Sequence, residues 1–262
     1  MKHLICLVFI SLFSVNSLAA IKGESIDYRV DDTTMKGYLA YDDSTTAKRP
    51  GVLVVHEWWG NNEYAHKRAR MLAEMGYTAL AVDMYGDGKT AAHPDDAGKF
   101  ATEANSNPDA RRARFVAAQT LLENHPTVAK NATAAIGYCF GGGVVLNMAR
   151  EGLGLKGVAS FHGSLSTNNP AQPGKVKARV LVLNGEDDAM APAQTVADFK
   201  KEMDSAGVNY KFVNYPGAKH SFTNPDADKF GAQFNMPLAY NAEADKASWS
   251  ELDKFLKSIF KK

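Results

Sequence analysis

The stretch AIGYCFGGG, Ala134 to Gly142, sets a cysteine between glycines two positions away on either side. An apolar run that turns abruptly into a helix brings the residue at the turn to strained backbone angles, and side chains two positions away would clash. Gly137 and Gly141 remove those clashes, so Cys139 fits the place of a nucleophile presented at a strand-to-helix turn. A thiol of ordinary pKa, about 8.5, is only ~3 % thiolate at neutral pH, so efficient attack needs a hydrogen-bonded base. Two further groups stand downstream, each after its own apolar run: Gly185-Glu186-Asp187-Asp188 and Gly217-Ala218-Lys219-His220. His220 is the only histidine beyond the acids; it would take the thiol proton and return it to a leaving alkoxide. His162, in Phe161-His162-Gly163, also follows an apolar run and is the best rival, but it precedes the acids in the chain. Asp187 and Asp188 compete to orient the base. A glycine, an acid three positions later and a proline four beyond that are met by Gly185, Asp188 and Pro192, which selects Asp188. The helix after Cys139 would aim its NH groups and positive dipole end at the site, making the NH of Phe140 an oxyanion donor.

The pair His56-Glu57 suggests zinc, but a metalloprotease helix needs a second histidine where this chain has Gly60, so no metal or cofactor is called for. His56 ends an apolar run and reads as a packed group; His66, His93 and His125 read as surface.

These residues need a frame. Glu24 to Val30 and Met35 to Tyr41 alternate like a hairpin. Gly51 to His56, Thr78 to Val82, Ala134 to Tyr138, Gly157 to Phe161, Arg179 to Asn184 and Tyr210 to Tyr215 are short, apolar and bounded by turn residues, as buried parallel strands are. Helical patterns cover Glu63 to Met75, Asp109 to Glu123, Gly141 to Arg150, Pro192 to Ala206 and about Ala242 to Phe260. The alternation predicts an α/β fold with a mostly parallel central sheet of about eight strands and helices on both faces. Ligands of such sheets sit at the carboxyl ends of the strands, where the polar residues above cluster.

The first twenty residues carry a charge at Lys2, an apolar run from Leu4 to about Val15 and the small residues Ser17 to Ala20. The run is shorter than the ~20 residues a spanning helix needs. It reads as a signal peptide cleaved near Ala19 or Ala20, leaving 21–262 as a single domain, exported to a periplasm or outside the cell. Cys6 leaves with it, and Cys139 is then the one cysteine of the mature protein. The chain is 45 % hydrophobic with a net charge of +1, which points away from nucleic acid, and no later apolar run is long enough for a membrane span.

Taken together, HEWWG at Glu57, GYCFGG at Cys139, GEDDAMAP at Asp188 and GAKHSF at His220 resemble the dienelactone hydrolase family of α/β-hydrolases, in order and spacing over nearly all of residues 21–262. The resemblance implies a Cys139-His220-Asp188 triad, a second oxyanion NH from Trp58, and a Glu57 that holds the resting thiol neutral and takes its proton when substrate displaces it. Neutral thiol resists oxidation better than thiolate, which suits an exported enzyme. In dienelactone-cleaving members two arginines hold the substrate carboxylate; here Asp87 and Asn224 stand where those arginines are expected. Arg111 and Arg112 could substitute, but read as an exposed helix face. The expectation is therefore a neutral ester or lactone substrate rather than dienelactone itself, with Trp58, Trp59, Tyr85 and Phe222 as candidate pocket aromatics. Phe222 to Asn241, long for a strand-to-helix link, is a candidate lid or pocket wall. The alternatives are another thiol-dependent activity, such as acyl transfer or peroxide reduction, and a non-catalytic small-molecule-binding protein of the same fold.

Overall fold

A computed structural model describes residues 21–261; the expected signal peptide lies outside the described residues. The chain opens with a hairpin, β1 (Ile21–Val30) and β2 (Thr33–Asp42), and continues with β3 (Arg49–Val55), α1 (Glu63–Glu74), β4 (Thr78–Val82), α2 (Pro94–Ser106), α3 (Pro108–Glu123) and β5 (Val128–Tyr138). There follow α4 (Phe140–Arg150), β6 (Gly157–Phe161), β7 (Arg179–Gly185), α5 (Ala193–Ser205), β8 (Tyr210–Tyr215), α6 (Ala227–Phe234) and α7 (Ala242–Phe260). The eight strands form one sheet in the order β1-β2-β4-β3-β5-β6-β7-β8. Every pairing from β4 to β8 is parallel, while β1 and β2 add an antiparallel edge.

Strand alternation divides the core into two layers. Leu53, Val55, Leu80 and Val82 point to the face covered by Phe115 of α3, Val145 of α4 and Phe199 of α5. Val52, Val54, Ala79 and Ala81 point to the face covered by Leu72 of α1 and Leu252 of α7. Burial on both faces explains why the central strands read as continuous apolar runs instead of alternating ones.

Two helices and one strand extension differ from the sequence expectation. α2 buries only Ala97 and Ala104, too little apolar surface for a periodic signal, and starts on a Pro94 N1 residue with His93 Nδ1 accepting from the Asp95 amide. α6 lies within Phe222 to Asn241. β5 begins at Val128, ahead of Ala134, because Thr127 and Val128 pair with Arg49 across an irregularity, with Asn131 at φ 54°.

Candidate active site

β5 delivers the cysteine. Cys139 takes φ 51° and ψ −113° between the last residue of β5 and the first of α4. The reason for the flanking glycines is measurable: a Cβ on Gly137 would lie 2.1 Å from the Gly141 carbonyl oxygen, and one on Gly141 would lie 2.2 Å from that of Val55. The turn is tied to its neighbours by Cys139 N donating to Phe161 O at 3.0 Å and Gly141 N donating to His56 O at 3.1 Å.

The loops after β7 and β8 bring the other two groups to this turn. His220 Nε2 is 3.1 Å from Cys139 Sγ, and its Nδ1 is 2.9 Å from Asp188 Oδ2. Asp188 Oδ1 accepts from the Met190 amide at 2.8 Å, so both carboxylate oxygens are committed. Asp187, its rival, is exposed. Burial opposes charge on His220, but its interactions with Cys139 and Asp188 outweigh it and push the imidazole up to about 10.

His162, the rival base, takes a different place. Its Nδ1 accepts from the Cys139 amide at 3.2 Å, which leaves its Nε2–H to donate to Thr223 Oγ1 at 2.7 Å. Burial and the neighbouring His220 hold it well below the usual imidazole range. It supports the turn as a neutral ring. His56 is likewise packed: Met84 N donates to its Nε2, its Nδ1 reaches the Glu57 carbonyl, and burial pulls it down to about 4.

Glu57 makes no hydrogen bond to the thiol. Its carboxylate accepts from Ser221 Oγ at 3.0 Å and from Asn224 Nδ2 at 2.6 Å, while burial pushes it up against the lowering effect of those bonds. The thiol is turned to His220. Asn224 is thus a ligand of Glu57, 3 % exposed, and Asp87 is exposed on a turn whose amide bonds to Thr34 O. Neither lines the cavity beside Cys139.

That cavity has a volume of about 290 Å³. Of the four aromatics expected to line it, only Trp58 does. Trp59 is buried against Phe230 and Phe234 of α6; Tyr85 is buried behind Phe140 with its OH donating to Trp58 O at 2.9 Å; Phe222 is buried against His162 and Tyr215. Each is a packing residue because its ring meets another element's rings. The segment Phe222 to Asn241 lines neither this cavity nor the one next to it. It braces the histidine loop from behind, with Ala239 N donating to His220 O at 3.3 Å. The walls that sequence reasoning missed are Ala101 and Asn105 of α2, Ser164 after β6, and Met190, which is 48 % exposed. The amides of Phe140 and Trp58 face no hydrogen-bond acceptor among the described residues.

A mostly parallel eight-stranded sheet with a cysteine at the elbow after β5, an acid after β7 and a histidine after β8 defines an α/β-hydrolase. More narrowly, the chain belongs to the dienelactone hydrolase family, whose sequence profile matches residues 35–260. A crystal structure of a dienelactone hydrolase-like promiscuous phosphotriesterase from metagenomic libraries superimposes with a TM-score of 0.85 at 31 % identity, covering 92 % of this chain and 100 % of that one. A protein of Aquifex aeolicus provisionally named carboxymethylenebutenolidase is 25 % identical over 206 residues, 77 % of this chain and 87 % of its own. A Bradyrhizobium protein provisionally named 2-oxo-3-(5-oxofuran-2-ylidene)propanoate lactonase is 26 % identical over 237 residues, 86 % of this chain and 90 % of its own. The protein is a dienelactone hydrolase-like hydrolase.

Proposed function

We propose that the protein cleaves a carboxylic ester or lactone through a thioester on Cys139, and that dienelactone is not its particular substrate. The observation that carries this reading is the unbroken relay Cys139 Sγ to His220 Nε2 at 3.1 Å and His220 Nδ1 to Asp188 at 2.9 Å, opening on a cavity. With the imidazole pushed up to about 10, His220 is basic enough to take the proton of the thiol it faces. The sulfur then attacks the carbonyl carbon, and the oxygen that becomes negative is met by the amides of Phe140 and Trp58. One such donor is worth ~3 kcal/mol in the transition state. Collapse of the tetrahedral adduct breaks the bond to the alkoxide, which leaves with the proton from Nε2. Neutral His220 next takes a proton from water, the hydroxyl adds to the thioester, and the acid departs as the proton returns to the sulfur–imidazole pair.

Against dienelactone stands the lining of the cavity, which carries no arginine or lysine to hold a compact anionic lactone. A panel of p-nitrophenyl esters from acetate to octanoate, with simple lactones, on the wild type and Cys139→Ala tests the reading. Turnover lost in Cys139→Ala, with an acyl adduct on Cys139 by mass spectrometry, is expected. No turnover and no adduct across the panel would sink it. The pattern of the first twenty residues further supports export; fractionation and N-terminal sequencing of the mature protein, with a start at Ala20 or Ile21 expected, tests that part.

A further inference from the structure

Asn105, Phe140 and Ser164 line both the Cys139 cavity and a second cavity of about 320 Å³. The two therefore adjoin along these three residues. Their chemistry differs. The second cavity is lined by Arg111, Asn147, Glu151 and Ser166, whereas Trp58, Met190 and Ala101 border the first.

Arg111 contradicts the exposed-face expectation: its side chain is only 9 % exposed, whereas that of Arg112 is 53 % exposed. It lies on the buried stripe of α3 with Phe115, Ala118 and Leu122. A guanidinium has five N–H donors. Here one Nη1–H bonds to Asn105 Oδ1 at 3.1 Å, Nη2 stays 3.9 Å from Glu151 Oε1, and Nε has no partner among the described residues. A buried cation this sparsely bonded calls for an explanation, because unsatisfied buried donors cost stability. Glu151 does not supply it: its Oε1 stays 3.9 Å from Nη2, its Oε2 lies 3.4 Å from Arg112 Nε without a hydrogen bond, and two guanidiniums against one carboxylate leave a positive balance. Lys175 and Asp109 act on Glu151 with opposite signs. Asn147 commits its Oδ1 to Thr167 Oγ1 and Arg150, which leaves its amide NH₂ as a further donor.

We propose that the second cavity is a distal subsite that takes a carboxylate carried several bonds from the scissile carbonyl, anchored by Arg111, so that half-esters and lactone acids longer than the first cavity are preferred. The inference rests on the ester-hydrolase reading above and names the substrate class for that site. The anchor stands on α3 and is neither of the positions, Asp87 and Asn224, where the family's arginines are expected.

The test uses matched pairs on the full protein. With the carboxylate on the acyl side, the mono-p-nitrophenyl esters of adipate, pimelate and suberate are compared with p-nitrophenyl hexanoate, heptanoate and octanoate. With it on the alcohol side, 6-acetoxyhexanoate is compared with hexyl acetate. In at least one arm the wild type should favour the acid about tenfold or more in kcat/KM, the range of one charge-assisted hydrogen bond, chiefly through KM. Arg111→Gln should bring that ratio close to one and Arg111→Lys should retain part of it. Ser166→Asp, on an exposed residue across the same cavity, should lower the ratio by repulsion even where Arg111→Gln fails to fold. Neutral esters turned over with no acid preference in either arm, or a preference indifferent to Arg111→Gln and Ser166→Asp, would overturn this inference alone. No turnover of any ester and no adduct on Cys139 would overturn the hydrolase reading and this inference with it.

Discussion

Replacing Asp188 with Asn separates the relay from a chance cluster, because both oxygens of that carboxylate are spoken for. Oδ1 accepts from the Met190 amide at 2.8 Å and Oδ2 faces His220 Nδ1 at 2.9 Å. In Asp188→Asn the oxygen must stay on the Met190 side to keep accepting, which turns the NH₂ group toward His220. Nδ1 then becomes an acceptor, the ring proton moves to Nε2, and Nε2 can no longer receive the proton of Cys139. The charge is lost as well: opposite charges about 4 Å apart interact by about 4 kcal/mol at an effective dielectric of 20, roughly a thousandfold in rate. The same substitution in a serine-based triad costs about ten-thousandfold. The expected fall in kcat/KM on a short p-nitrophenyl ester is therefore between about a thousandfold and ten-thousandfold. Asp188→Ala, which removes the charge but leaves the ring free to choose its tautomer, should keep at least as much activity as the Asn variant. Asp187→Asn, on the exposed neighbour, should stay within about twofold of wild type, as surface changes do. Activity within tenfold of wild type in an Asp188→Asn protein that melts normally would refute the relay.

Because the sulfur–imidazole pair keeps its proton up to about 10, kcat/KM should hold through neutral pH and fall only as pH rises through that value, where the proton for the leaving group is lost; a profile on a folded sample, checked by circular dichroism, reads this directly. Gly137→Ala would set a Cβ 2.1 Å from the Gly141 carbonyl oxygen, so roughly 2–4 kcal/mol of destabilisation is expected, a drop of about 5–15 °C in Tm. Gly154→Ala, where an added Cβ meets open space, should shift Tm little. Glu57→Gln can satisfy both of its partners, since Ser221 Oγ can accept as well as donate, and the carboxylate makes no hydrogen bond to Cys139, so fold, turnover and peroxide sensitivity should stay close to wild type; a large fall in turnover together with faster inactivation by peroxide would instead give Glu57 a role in handling the thiol proton.

The residues that sequence reasoning places well are those whose position follows from chain order alone. In a parallel sheet every strand ends at the same edge, so Cys139, Asp188 and His220, each just beyond an apolar run, had to meet there. Direction is a different matter. Asn224 occupies the expected place for a substrate-binding arginine, yet its side chain turns inward to Glu57. Trp59 and Tyr85 flank the site in sequence, yet their rings pack behind its wall, on Phe230 and Phe140. Nothing in a list of neighbours distinguishes the face toward a cavity from the face toward another ring. α2 escaped because its contacts are alanines, so its contribution to the wall, Ala101 and Asn105, was hidden with it.

Arg111 is the opposite case, because the signal was present in the sequence. Positions 111, 115, 118 and 122 are spaced four, three and four apart, the repeat of a single helical face, and three of them are Phe, Ala and Leu. Charge suggested solvent, whereas phase placed the residue inward, and the phase governs because a helix cannot rotate one residue without moving Phe115 out of the core. A buried guanidinium was therefore imposed by helical geometry. Bordering a cavity that shares Asn105, Phe140 and Ser164 with that of Cys139, it is the group that, as a carboxylate anchor, would let the protein lack arginines beside its nucleophile and still select for charge, one cavity farther from the scissile bond.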